Sequence, residues 1–393
     1  MNLSTRYRLN RKRRKFCYNS YPHFFAGCGG TVVISFEKKT HTMNLSKTKT
    51  EGRGAQINTH NKFMAQSYEA EDYYDEDFPP ARIKTIFYEE NAKKVINFTK
   101  SPDMYGMLYM NPYQGCEHGC IYCYARNSHE YWGFSAGIDF ESRIMVKKNA
   151  AELLEAKFNS RNWVCGPIHL AGNTDCYQPG EKKYGITRKI LETCLRYRNP
   201  VGILTKNALV LRDLDLLQEL HRLRLVHVFL SVTTLNEKLR LALEPRTATA
   251  AKRLRTLETL SAAGIPTGVM TAPIIPGLND HEIPRLIEAA ADAGVLAAGY
   301  TVVRLNGAIA QIFEDWIRKA FPDKADKVLH QIADCHGGQV NDSRFGVRMK
   351  GEGKYAEHIQ NLHRLSVQRY LKDRRLPELD TSQFIRNGQL NLF

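Results

Sequence analysis

The stretch Asn111-Pro112-Tyr113-Gln114-Gly115-Cys116-Glu117-His118-Gly119-Cys120-Ile121-Tyr122-Cys123-Tyr124-Ala125-Arg126 places three cysteines in a C-x3-C-x2-C run. Three thiolates at this spacing can hold three irons of a [4Fe–4S] cube and leave the fourth without a protein ligand. An open iron binds and activates something, whereas a fully ligated cluster only passes electrons. A zinc ion held by the same cysteines and His118 is the competing reading of the donor types. Structural zinc sites usually pair two knuckles, and no second C-x2-C occurs in the chain. No cysteine close by in sequence completes a four-cysteine set for pure electron transfer.

Working outward, residues 105–306 alternate strand and helix patterns. Strands are predicted at 106–115, 168–172, 201–205, 226–233, 267–275 and 299–303, each a short, mostly apolar run. Helical spacing recurs at 187–197, 214–223 and 247–263, and Gly264 and Pro266 stop the last of these. A further helix opens with the capping-box pattern Asn279-x-x-Glu282 and ends near Gly294. Such alternation implies right-handed βαβ units and a parallel sheet, so the expected class is α/β, an open (β/α)6 partial TIM barrel. Chemistry in such folds gathers at the carboxyl ends of the strands. The cysteine loop, Gly172 to Cys176, Lys206-Asn207, Thr233-Thr234, Pro273 to Asp280 and Arg304 to Asn306 all fall there.

The cysteine spacing and the aromatic Tyr122 before the third cysteine resemble the signature of the radical S-adenosylmethionine (radical SAM) enzymes. The stretch 111–126 is similar to the branch that includes spore photoproduct lyase and DNA repair photolyase-like proteins. The resemblance implies that Cys116, Cys120 and Cys123 ligate a [4Fe–4S] cluster whose open iron is chelated by S-adenosylmethionine. The reduced cluster then yields methionine and a 5′-deoxyadenosyl radical that abstracts hydrogen. It further implies that Tyr122 lies against the adenine. Asn173 and Asp175 stand where relatives bind the cofactor's amino group, although the common Gly-Gly-Glu form is absent here. Ser231 and Thr233 are candidates for the ribose hydroxyls. Arg246 is a candidate for the cofactor carboxylate or a substrate phosphate, with a Glu244–Arg246 surface pair as the alternative. Some lyases of the branch return hydrogen from a cysteine thiol, and Cys176 is the best placed of the other cysteines.

Of 393 residues 43% are hydrophobic, enough for one large core, and no run approaches the length of a membrane span. Nine scattered cysteines do not read as a disulfide framework and point to the reducing cytoplasm. The formal charge is +15, of which residues 1–42 carry +8, so the body is only mildly basic. Residues 1–42 read as a basic leader, with Met43 an alternative start, because Met43-Asn-Leu-Ser repeats the opening Met1-Asn-Leu-Ser. Residues 43–104 read as an extended approach segment that includes an acidic run at 69–77, and 307–393 as a C-terminal helical and loop extension with an exposed tail. Within that extension His336, Arg344, Arg348 and Lys350 make a basic lid or substrate loop. The tail Gln389-Leu390-Asn391-Leu392-Phe393 looks like the bacterial sliding-clamp-binding pentapeptide. No HExxH, P-loop or GxGxxG occurs.

Three functions are compatible with these features. The first is a radical SAM enzyme acting on DNA or another nucleic acid, of the photoproduct-lyase or repair kind, served by an electron-donor protein. The second applies the same chemistry to RNA, a peptide or a small metabolite. The third is a zinc- or cluster-bearing nucleic-acid-binding protein without turnover.

Overall fold

A computed structural model describes residue 50 and residues 52–64, 83–104 and 106–388. Ten strands run in chain order: β1 (Ile86–Glu90), β2 (Ile96–Phe98), β3 (Leu108–Met110), β4 (Tyr113–Gln114), β5 (Arg143–Lys147), β6 (Ile168–Leu170), β7 (Val201–Thr205), β8 (Val226–Ser231), β9 (Thr267–Ile274) and β10 (Ala297–Val302). They form a seven-stranded sheet of order β10-β9-β8-β7-β6-β3-β2 and a small sheet of order β1-β5-β4. In the large sheet β3 and β6 to β10 are parallel in sequence order, and β2 caps the β3 edge antiparallel.

The helices are α1 (Ile138–Ser142), α2 (Ala150–Asn159), α3 (Glu181–Tyr184), α4 (Ile186–Tyr197), α5 (Leu214–Arg222), α6 (Glu237–Leu243), α7 (Ala250–Ala262), α8 (Ile283–Asp292), α9 (Ala308–Ala320), α10 (Ala325–Asp334) and α11 (Gly353–Tyr370). Helices α6, α9 and α10 share a second core, and α2, α4, α5, α7, α8 and α11 cover one face of the large sheet, with α11 packed on α8 and β10. Val226, Val228 and Leu230 of β8 are buried in the core that these helices share. On the other face, large side chains lie over glycines at the same register of the next strand. His169 lies over Gly202, Phe229 over Gly268 and Met270 over Gly299. A Cβ at any of these glycines would collide with the neighbour, so the inner face is filled from alternate strands, as barrel interiors are.

Five of the predicted strands are found with ends shifted by at most a few residues, and β7 matches to the residue, but the strand expected over 106–115 is split into β3, which joins the large sheet, and β4, which leaves it for the small one. Helix α7 ends in a Schellman motif: Gly264 takes φ +84°, its N–H bonds Ser261 O, and Ile265 N–H bonds Leu260 O. The capping box at Asn279 does not form. Asn279 instead donates to Thr233 O and Pro273 O and accepts from Ile275 N–H, and Glu282 accepts from Thr234 and Leu235. Both residues therefore tie the β8 and β9 loops together, a tertiary use that overrides the local pattern. Within 43–104 the structure places β1 and β2, each a member of a sheet rather than extended chain. At the amino ends of the strands, residues 377–386 close the bottom: His227 bonds Pro377 O, Arg224 pairs with Asp380 and Phe384 packs on Phe158. The carboxyl ends are left to the site. No described helix is long and apolar enough to cross a membrane.

Candidate active site

Strand β4 delivers the chain to Gly115, whose φ of +79° turns it into the cysteine loop. Three neighbours hold that loop: Cys116 N–H bonds Phe140 O at 2.9 Å, Ile121 N–H bonds Leu243 O at 3.0 Å, and residues 53–55 cross its outside. The crossing is tight enough that a Cβ on Gly54 would overlap the carbonyl oxygen of Gly119. Glu141 organises the crossing. Its fully buried carboxylate accepts from Gly54 N–H (2.9 Å), Ala55 N–H (2.8 Å) and the equally buried Arg126 (2.5 Å). Arg126 in turn donates to Cys120 O at 3.0 Å and to Gly137 O at 2.9 Å. A buried pair of this kind persists only when its remaining hydrogen bonds are satisfied, and here they fasten the loop.

Cys116, Cys120 and Cys123 are free thiols, and all three line one cavity of about 580 Å³ at the carboxyl ends of the parallel strands. Burial pushes Cys123 up to about 11 and Cys120 well above the ordinary thiol range, a cost that a bound cation reverses. Among the described residues no three His, Cys, Asp or Glu side chains converge on one metal ion, as Cys3His zinc requires. His118 is engaged elsewhere: its Nδ1 lies 3.2 Å from Asp175 Oδ2 and its Nε2 3.4 Å from Asn207 Nδ2. Burial works against the charged ring, yet Asp175 and the nearby Cys116 sulfur raise it to about 10. Three free thiols on a short loop that line one cavity suit a cube with one open iron better than a single tetrahedral ion.

The other sequence candidates separate by where they sit. Tyr122, Asn173, Asp175 and Ser231 line the cavity. Asp175 is fully engaged, accepting from Tyr177 N–H (2.8 Å), Thr205 Oγ1 (2.8 Å) and Lys206 N–H (2.7 Å) besides His118. Burial opposes its ionisation, but these donors hold it below the usual carboxylate range. It positions His118 and the β7 end rather than offering a lone pair. Asn173 donates through Nδ2 to Ser128 and Gln114, and its amide oxygen accepts no hydrogen bond from a described residue.

Thr233 and Arg246 are placed off the cavity lining. The Thr233 hydroxyl donates to Glu244 at 2.6 Å in a buried network where Glu244 also receives Tyr122 Oη and Arg253. Arg246 pairs with Glu117 at 3.2 Å and bonds Thr85, so it braces the cysteine loop from outside, while Glu244 takes Arg253 as its partner. Cys176 is fully buried in the core shared with the helices and does not line the cavity that its neighbour Asp175 lines. The basic loop spends its two arginine charges internally. Arg344 pairs with Asp342 and Glu352, Arg348 with Asp103, and buried His336 lies 2.7 Å from Val303 O. That loop contributes Met349 to the cavity wall.

Residues that sequence reasoning assigned no part in the site also form it. Lys206, noted only as a polar strand end, lines the cavity with Nζ 3.6 Å from Glu244 and 5.9 Å from the Tyr122 ring centroid. Arg304, Tyr109 and Tyr124 line it as well. Residues 1–42, the acidic run 69–77 and the tail 389–393 lie outside the described residues.

The sequence model of the radical SAM superfamily matches residues 110–290, which span the cysteine loop and the four parallel strands β6 to β9. An uncharacterised protein of Mycobacterium tuberculosis is 34% identical over 242 residues, covering 60% of this chain and 71% of that one. An uncharacterised protein of Methanocaldococcus jannaschii is 35% identical over 192 residues, 49% of this chain and 68% of that one. Among solved structures, a spore photoproduct lyase variant with bound AdoMet and dinucleoside spore photoproduct superimposes with a TM-score of 0.53 at 15% identity, covering 72% of this chain and 78% of that one.

Proposed function

Because the chain belongs to the radical SAM superfamily, we propose that it is an enzyme that binds a [4Fe–4S] cluster and S-adenosylmethionine and acts on nucleic acid, as a lyase or repair enzyme of the cytoplasm. The observation that carries this reading is the trio of free thiols on one wall of a cavity at the carboxyl ends of the strands. The six parallel strands read as the open (β/α)6 partial barrel of that chemistry. Cys116, Cys120 and Cys123 would hold the cluster, which, when reduced and bearing S-adenosylmethionine, supplies a 5′-deoxyadenosyl radical. This chain's own residues do the rest. The Asn173 amide oxygen is a ready acceptor for an ammonium group. Glu244 and Thr233 fix the Tyr122 ring as a flat wall. Leu204, Met270, Val302 and Val303 keep the interior apolar, so that water does not compete with the intended hydrogen source. The nucleic-acid part is supported by the likeness of fold to a lyase solved with a dinucleoside photoproduct, and the mildly basic body is compatible with it.

The test is anaerobic reconstitution with iron and sulfide, then dithionite and S-adenosylmethionine. A brown protein with about four irons that forms 5′-deoxyadenosine is expected, and Cys116→Ala, Cys120→Ala and Cys123→Ala each lose both the colour and the nucleoside. A colourless protein holding one zinc, lost on His118→Ala, would refute the assignment.

A further inference from the structure

The cavity narrows from an exposed mouth to a buried floor. Cys116, Cys120, His118, Tyr122 and Ser231 are buried, whereas Phe98 and Tyr124 are about half exposed. Two segments frame the mouth, 97–104 after β2 and 344–349 beyond β10, and they join each other there. Asp103 accepts from Gly346 N–H and from Arg348, and Arg348 also donates to Ser101. The two edges of the large sheet are thus bridged over the cavity.

Two guanidinium groups meet at this bridge with different fates. Arg348 is neutralised by Asp103. Arg304, just past β10, lines the cavity, and its side chain makes no hydrogen bond or ion pair with a described residue. Burial lowers its pKa and the neighbouring Arg348 lowers it further, against the smaller opposing pull of Tyr124 and Asp103. A half-buried guanidinium whose donors are not hydrogen-bonded is costly to keep, and its planar fork matches phosphate or carboxylate oxygens. Beside it stand flat surfaces. Tyr109 settles its ring against Gly172, where a Cβ would collide with it, and among the described residues its hydroxyl finds only the weak acceptors Met104 and Met107. Tyr124 reaches across to Gly172 O. A cation among aromatic faces and thioethers suits a ligand that carries a flat ring and an anion together.

We propose that the mouth is a nucleotide subsite, in which Arg304 takes a backbone phosphate and Tyr109 and Tyr124 take a base. This rests on the nucleic-acid part of the proposed function and not on the cluster. It names a single-stranded or extruded nucleotide as the unit bound, because a stacked base has no free face to offer. Arg304 positions that unit and does not read its sequence.

The experiment is an anaerobic anisotropy titration of the reconstituted full chain with fluorescein-labelled tetrathymidylate and its ribose counterpart, tetrauridylate. Arg304→Ala is expected to weaken both by about ten-fold, Arg304→Lys by less, and Arg255→Ala, an exposed arginine on α7, hardly at all. A tetramer with neutral methylphosphonate linkages should bind wild type weakly and show no further loss in Arg304→Ala. S-adenosylmethionine binding, read by equilibrium dialysis, should be unchanged. Equal oligonucleotide binding by wild type and Arg304→Ala would overturn the subsite while leaving the nucleic-acid reading standing. So would loss of S-adenosylmethionine in its place. Failure of wild type to bind either oligonucleotide, or equal binding of a polyglutamate peptide of the same charge, would remove the nucleic-acid reading and the subsite with it.

Discussion

The floor and the mouth of the cavity are built on opposite principles. Around the floor every buried charge has its partner: Glu141 with Arg126, Asp175 with His118, Glu244 with Arg253, Glu117 with Arg246. Backbone presses on backbone at Gly54 and Gly119 with no room for a side chain. The mouth has aromatic rings, methionines and one guanidinium without a hydrogen bond to a described residue, on segments joined where Gly346 and Arg348 meet Asp103 and Ser101. Saturated networks fix atoms, as a reactive centre requires, and adaptable rings and thioethers accept a range of shapes. The difference teaches where to look for shared chemistry and where for substrate choice.

The largest expected effect comes from breaking the floor at its tightest point. Gly54→Val puts a branched side chain against the Gly119 carbonyl and must lift residues 53–55 from the cysteine loop. Glu141→Gln is the milder form, removing the charge that Arg126 and two amides share. We expect Gly54→Val to retain under a tenth of the wild-type iron after reconstitution, and Glu141→Gln an intermediate share. Iron and sulfide per chain, with circular dichroism to show that the fold persists, is the measurement. Full iron in Gly54→Val would mean that the floor is held by the loop alone.

Next is the wall behind the floor. Glu244→Gln leaves Arg253 buried without its carboxylate and keeps only one of the two oxygens that Arg253, Tyr122 and Thr233 share, and removing one partner of a buried pair costs about 3–5 kcal/mol. The urea midpoint should fall accordingly. The same substitution at Glu352, whose partner Arg344 is exposed and also held by Asp342, should cost well under about 1 kcal/mol. Equal losses at the two sites would erase the contrast between a saturated interior and a solvated rim.

How much of this was legible follows the range of the interactions. β7 is a short apolar run buried on most of its length, and α7 is stopped by Gly264 with Pro266 two residues on, so both are written locally. The cysteines announced the loop because ligand spacing is itself a local pattern. The small sheet was not legible, since Arg143–Lys147 pairs with Ile86–Glu90 across the whole cysteine loop. The same holds for the side-chain networks. Asp175 and Cys176 are adjacent, and only the direction of the chain past β6 decides which faces the cavity. Arg344, Arg348 and Arg304 look alike in sequence, and what separates them is whether Asp342, Glu352 or Asp103 has already taken the charge.

The smallest effect is acid sensitivity, and it divides along the same line. One buried histidine lies beneath each region. His129 stacks on Phe134 and meets Phe140 edge-on beside the cysteine loop, and His363 on α11 lies 4.5 Å from the Tyr300 ring on β10, the strand that leads to Arg304. Burial lowers both to about 4. An unfolded histidine titrates near 6.5, so between about pH 6.5 and 4 the unfolded chain takes up protons that the folded chain refuses. Each therefore costs nothing above about pH 6.5, and stability falls as pH drops through that window. At pH 5 each should account for about 1 kcal/mol of the loss, allowing for partial exposure to solvent. His363→Phe should flatten the dependence of the urea midpoint between pH 7 and 5 without altering iron content at pH 7. His129→Phe should flatten it equally and also slow the release of iron to a chelator at pH 5, since protonation there loosens the packing under the loop. If His363→Phe slowed iron release as much as His129→Phe, the floor and the mouth would be one cooperative unit, and the separation between a fixed centre and an adaptable entrance would fail.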